Sequence, residues 1–306
     1  MNKRKNSKGS DRMKKPNSQC GRRGERIFSN LCVLPSLAGV LIFFLIPFCI
    51  VIYYSVINNP ISAQFVGLEN FRRLFKASAF RSAALNTSAF SLISVPLVLV
   101  ISLWLATLLE RNIPYKSVIR TFFLSPIMVP TASVVLVWQV LFHNHGTINQ
   151  VLDLFGIQGI DWMKSSHGQL IIIVMFLWKN IGYNMILFMS ALAAVPRDIL
   201  EVAELEGAGR IYQFFHIKLR YLSPTILFVL ILSLINSFKI FREVYLLTGD
   251  HPYDKMYMLQ HFMNNTFNSL DYQKLSAAAV LFSLVMIVII AALLIAEEIF
   301  GKDVEG

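Results

Sequence analysis

The sequence predicts an all-α polytopic membrane protein, six transmembrane helices with one long polar loop on the inner side. Three observations carry that reading. The 306 residues are 55% hydrophobic and only 15% charged, against roughly 25% charged residues in soluble domains, and mean hydropathy is +0.57. Apolar runs long enough to cross a bilayer, about 20 residues at 1.5 Å rise, recur along the chain. Basic residues concentrate on one side of those runs.

The elements follow in order. Residues 1–27 form a basic tail, with ten Lys or Arg between positions 1 and 26 against Asp11 and Glu25. This Ser-, Asn- and Gly-rich stretch cannot bury enough apolar surface to order itself, so it is predicted disordered. No aromatic interleaves its charges, which favours anionic lipid over nucleic acid as its neighbour. The first span, 31–56, is far longer than the roughly 7–15 residues of a signal h-region and has no convincing cleavage site, so it is read as uncleaved. Further spans are predicted over 86–109, 119–142, 170–195, 225–248 and 275–296. Pro96 lies in the second and Pro126 and Pro130 in the third, which predicts packed and kinked helices. Residues 28–300 make one membrane domain, and 301–306 a short inner tail. The three cysteines, Cys20, Cys32 and Cys49, have no C-x-x-C spacing, so neither a disulfide nor a zinc site is expected. His143 and His145 lack a third ligand, and no metal is assigned to them.

Orientation follows from the same charges. With the N-terminus inside, the inner segments hold 18 Lys or Arg and the outer ones 9, with Lys179 left inside a span. That bias puts both termini and the segment 196–224 in the cytoplasm.

This segment, between the fourth and fifth spans, carries the most functional information. A connector between adjacent helices needs about 2–8 residues, yet this one has some two dozen, with helix-forming composition. Pro196 sets a helical φ for a first short helix carrying Glu201, Glu204 and Glu206. Gly207 breaks it, because glycine alone enters the left-handed region without steric cost. A second short helix is predicted from Gly209 to about Lys218, with Ile211, Phe214 and Phe215 forming an apolar stripe. From the residues alone, an amphipathic segment resting on lipid and a docking knob for a protein partner are equal readings.

At these positions the chain resembles the membrane-spanning permease subunits of ABC importers of the carbohydrate type. Their cytoplasmic loop reads E-A-A-x-x-x-G-A, and Glu201, Ala203, Gly207 and Ala208 fall on it, with Phe214, Ile217 and Leu219 downstream. Val202, Glu206 and Arg220 depart from the usual Ala, Asp and Pro. The string FVGLENFRRLF (65–75) resembles the outer segment of the first membrane subunit in maltose- and glycerol-phosphate-type systems. Asn86-Thr87, Arg120-Thr121, Trp138, Gly146, Asn149, Trp178, Gly182, Tyr183 and Leu247-Thr248-Gly249 continue the likeness. Gly249-Asp250-His251-Pro252 replaces the usual G-G-P.

The resemblance implies a type I importer fold in a bacterial inner membrane, with 196–224 as a coupling-helix loop. It implies a heterodimer with a second permease, a cytoplasmic ABC ATPase dimer, an extracytoplasmic solute-binding protein, and a carbohydrate or related polyol as cargo. Glu201, Ala203, Gly207, Ala208, Ile211, Phe214 and Phe215 would form the ATPase contact. No G-x-x-x-x-G-K-[ST] occurs in the chain, so it is expected to be no enzyme and to bind no cofactor, the ATP being used by its partner.

Ionisable and polar groups inside spans are functional candidates by default. Trp178, Lys179, Asn180, Tyr183 and Asn184 in the fourth span, with Asn236 and Lys239 in the fifth, are assigned to the solute pathway. Aromatic faces beside amides suit a sugar. Helix packing is the alternative for each, with Lys239 and Glu243 as an internal i,i+4 pair. An ABC permease for a non-sugar solute, an ion-coupled secondary transporter and a membrane-embedded enzyme are the rival functions. The last two find no internal repeat and no catalytic motif.

Overall fold

The computed structural model describes residues 33–110, 113–165 and 167–301. The basic tail 1–27 and nearly all of 301–306 lie outside the described residues. Every regular element among the described residues is helical: α1 (Val33–Ser55), α2 (Glu69–Lys76), α3 (Ser78–Glu110), α4 (Lys116–Met128), α5 (Thr131–Leu141), α6 (Thr147–Leu154), α7 (Gly168–Ala193), α8 (Arg197–Leu205), α9 (Arg210–Gln213), α10 (Ser223–Lys239), α11 (Phe241–Thr248), α12 (Leu259–Asn268) and α13 (Tyr272–Gly301). The chain divides into two units, residues 1–53, whose described part is most of α1, and residues 54–306.

Five helical stretches are long and apolar enough to cross a membrane: α1, α3, α7, α10 with α11, and Tyr272–Glu298 of α13. The expected third span is the one that differs. It is broken into α4 and α5, bent by 99°. Pro130 offers no N–H, and the residue before a proline is driven out of helical geometry. Val129 accordingly sits at φ −86°, ψ 132°. At 1.5 Å per residue neither half, of 13 and 11 residues, reaches across a bilayer by itself. Pro126, by contrast, is accommodated inside α4, and Pro96 inside α3.

Within residues 54–306 the core forms where α3 and α7 pack. Phe90, Phe176, Phe188, Ile171, Met175 and Met185 are fully buried there, and Phe90 meets Phe176 edge-on at 5.5 Å, a favoured aromatic geometry. Gly182 sets the approach of α4 to α7. A Cβ at that position would stand 1.9 Å from the Phe123 carbonyl oxygen, so only glycine lets the two backbones come so close. Ser102 donates to the Ile181 carbonyl at 3.2 Å, and Ser91 and Ser237 join α3 to α10 at 2.8 Å. A second, smaller core links α2, the start of α3, α12 and α13 through Leu74, Phe80, Phe262 and Ala277.

Candidate functional site

Ala203, Gly207 and Ala208 come together in one C-terminal cap, with Glu201 in the helix that it closes. Pro196 stands in extended conformation just before α8, whose nine residues include Glu201 and Glu204. Gly207 has φ +86°, with open space where a Cβ would project. Its glycine is therefore demanded by the dihedral angle rather than by crowding. Its N–H donates to Glu204 O at 3.0 Å, and the Ala208 N–H donates to Ala203 O at 2.9 Å. That pair of bonds is a Schellman motif and satisfies the last carbonyls of α8. Gln213 Nε2 donates to the Ala208 carbonyl at 2.9 Å, holding the turn from the far side.

The second helix starts as expected but does not end at Lys218. From α9 the chain passes into a π turn, Phe214–Lys218, then Leu219–Tyr221, and a turn at Leu222 leads directly into α10. The Leu219 N–H reaches back to the Phe214 carbonyl, and such single π turns recur at functional sites. Ile211 and Phe215 are 77% and 58% exposed, while Phe214 is half-buried and meets Phe215 edge-on. The stripe thus exists and faces outward. Lys218 Nζ grips both carboxylate oxygens of Glu110 at 2.7 and 2.8 Å, tying the loop to the end of α3. Arg220, where the family pattern has Pro, lines a cavity of about 450 Å³ together with Glu297.

The intramembrane candidates separate by environment. Lys179 pairs with Glu243 and also reaches Thr131 at 3.4 Å. The internal Lys239–Glu243 pair, the packing alternative for Lys239, is not formed: the partner of Glu243 comes from another span. Lys239 is exposed and has no partner among the described residues. Asn236 donates to Asn180 Oδ1 at 3.1 Å, and Asn180 donates to the Phe176 carbonyl. Asn184, only 1% exposed, donates to Ser233 at 2.9 Å, a helix-packing contact. Trp178 and Tyr183 are both 39% exposed. Five residues apart, they point about 140° away from each other around α7 and do not share a face. Trp178 instead joins an aromatic cluster through Trp138, which stacks on Phe142 at 5.3 Å.

Several residues that carry the family likeness prove to be anchors for the segments between spans, a role their identity alone did not announce. Asn70 Nδ2 donates to the Ser55 and Ile57 carbonyls. Asn86 donates to the carbonyls of Asp254 and Tyr257, and Thr87 accepts from the Leu259 N–H at 2.8 Å. Asn149 accepts from the Trp162 ring N–H at 2.8 Å and the Ile160 N–H, and donates to the Asn144 and Ile160 carbonyls. Each amide stitches backbone that no helix satisfies. His261, buried at the start of α12, accepts the Met258 N–H at its Nδ1. Burial holds its pKa down to about 4, with Asp250 opposing weakly. No cluster of three or more metal-ligating residues occurs among the described residues.

Residues 98–306 match the family described as binding-protein-dependent transport system inner membrane component. The trehalose/maltose transport system permease protein MalF of Thermococcus litoralis is 30% identical over 257 residues, 82% of this chain and 87% of that protein. The sn-glycerol-3-phosphate transport system permease protein UgpA of Pectobacterium atrosepticum is 33% identical over 210 residues, 67% and 71% of the two chains. The sulfoquinovosyl glycerol transport system permease protein SmoG of Agrobacterium fabrum is 30% identical over 273 residues, 87% and 89%. Among solved structures, a chain of a bacterial ABC transporter that imports the acidic polysaccharide alginate superposes with a TM-score of 0.78. Its identity is 20%, and the match covers 90% of this chain and 96% of that one.

Proposed function

The chain belongs to the family of binding-protein-dependent transport system inner membrane components, and on that premise we propose that it is a pathway-forming permease subunit of an ATP-driven importer for a carbohydrate or related polyol, coupled to its ATPase through residues 196–224. The loop carries this reading: a capped turn at Gly207 presents an exposed apolar stripe, Ile211 and Phe215, beside a row of carboxylates. An apolar anchor flanked by charge is the composition of a protein-binding hot spot. Glu201 would meet a basic residue of the ATPase, and Ile211, Phe214 and Phe215 would enter an apolar pocket on it. A second permease and an external solute-binding protein complete the assembly, with both termini of this chain in the cytoplasm.

The cargo class is supported by the names of the relatives, which handle a disaccharide, a glycerol phosphate and a sulfosugar glycerol. Asn180, Tyr183, Asn236 and Lys239 are the residues of this chain best placed for the pathway. Lys239 is an exposed cation with no described partner, and the amides of Asn180 and Asn236 keep unused hydrogen-bonding capacity. Coupling is tested by Gly207→Val. A β-branched residue at φ +86° is strained by roughly 1–3 kcal/mol, confined to the loop. Membrane insertion is expected to stay at wild-type level while solute uptake falls at least tenfold. Unaltered uptake would remove the coupling role.

A further inference from the structure

A cavity of about 540 Å³ opens beside the coupling loop, between the end of α3, the start of α4 and the junction of α7 with α8. Lys116, Arg120 and Arg197 line it, with Glu110 as the one carboxylate on its wall. Glu110 is already neutralised, because both its oxygens are taken by Lys218. No described carboxylate forms an ion pair with Lys116, Arg120 or Arg197. Asp198 and Glu201, on the same short helix as Arg197, are no exception. The Arg120 Nε is buried and has no hydrogen-bond partner. A buried guanidinium N–H without an acceptor costs free energy, and three cations that line one cavity without a described carboxylate partner repel one another. Both penalties vanish when an anion with several acceptor oxygens enters.

We propose that this cavity binds a phosphate-bearing anion, the headgroup of an anionic phospholipid from the leaflet on the loop side. Lys116 and Arg120, four residues apart, face it from one side of α4, and Arg197 closes it from α8. Guanidinium groups match phosphate oxygens with paired N–H donors. The remaining wall is apolar, including Ala106, Ile186 and Met189. That combination fits a phosphodiester joined to a glycerol backbone better than a freely hydrated phosphate. The site bridges α3, α4 and α8, so its occupant fixes where the coupling loop leaves the membrane. Only the assignment of the leaflet rests on the reading of 196–224 as the inner loop; the binding itself does not.

The test uses the full chain purified in a neutral detergent, with thermal unfolding followed during titration. The probes are short-chain phosphatidylglycerol, short-chain phosphatidylcholine and inorganic phosphate. Phosphatidylglycerol is expected to raise Tm saturably, and phosphatidylcholine to do so not at all. Arg197→Gln, a change at an exposed side chain, and Arg120→Gln are each expected to weaken the apparent affinity at least tenfold. Arg120→Lys should retain part of it. A saturable shift with inorganic phosphate that matches phosphatidylglycerol and is lost in the same variants would support the anion site and make free phosphate its occupant. No saturable shift with either anion, or a shift unchanged in Arg197→Gln and Arg120→Gln, overturns the proposal. Transport is not measured, so failure here leaves the coupling reading standing.

Discussion

Lys179 enters the bilayer only because Glu243 meets it there. The carboxylate side chain is 7% exposed and the ammonium-bearing one 26%, so removing one partner leaves a charge that water reaches poorly. Losing one member of a buried pair costs about 3–5 kcal/mol, whereas removing both is close to neutral. Lys179→Met is therefore expected to lower the Tm of the detergent-solubilised protein by several degrees, and Lys179→Met with Glu243→Gln to recover most of it. If the double variant is as unstable as the single one, the loss does not come from a stranded charge. The same residues show where local sequence rules stop. The i,i+4 rule finds Lys239 for Glu243, because it sees one helix at a time. The true partner is 64 positions away, and only the tertiary arrangement, with α7 packed against α10 and α11 against α5, selects it. Asn180 and Asn236 were legible as intramembrane polar groups, but their bond to each other was not.

At the scale of elements, legibility follows whether the determinant is local. The loop was readable because Gly207, the cap of α8 and the stripe after it all depend on neighbours within a few residues. The break of the third span was half readable. Two prolines announced a kink, but the 99° bend requires Val129 to be extended, and neighbouring helices to receive both halves. The π turn at Phe214–Lys218, which carries α9 on toward α10, left no mark in composition or period. Helix α12 was missed as an element, and it contains a titratable core. His261 is held neutral by burial, with a pKa of about 4 against 6.5 in the open chain. Between those values the unfolded chain binds more protons than the folded one. The stabilisation is thus complete above pH 6.5 and is lost as pH falls toward 4, about 3 kcal/mol over the full window. The Tm is expected to drop between pH 7 and pH 5. His261→Asn, which keeps an acceptor for the Met258 N–H, should flatten that dependence; an unchanged slope would assign it to other groups.

At the scale of the whole molecule, the proposed function needs energy from a partner. Its sequence contains no phosphate-binding loop, and Gly207-Ala208-Gly209-Arg210 has neither the spacing nor the lysine that nucleotide binding needs. What the molecule offers is a surface: Ile211 and Phe215 project from a loop whose base is fixed to α3 by the Lys218–Glu110 pair. Apolar groups left in water on a rigid support gain free energy only when covered, at about 25 cal/mol per Å², and a few such anchors dominate an interface. The full chain purified alone is accordingly expected to hydrolyse ATP no faster than an empty-detergent blank. With its ATPase partner present, hydrolysis should appear and respond to the solute-loaded binding protein. Phe215→Ala should weaken ATPase binding at least tenfold, measured by co-purification or surface capture, while the helical content of the chain is unchanged. Hydrolysis by the isolated chain would place the energy source inside it and reverse the argument. ATPase affinity unaltered in Phe215→Ala would move the anchor elsewhere on the loop, toward Ile211 or the carboxylates of α8.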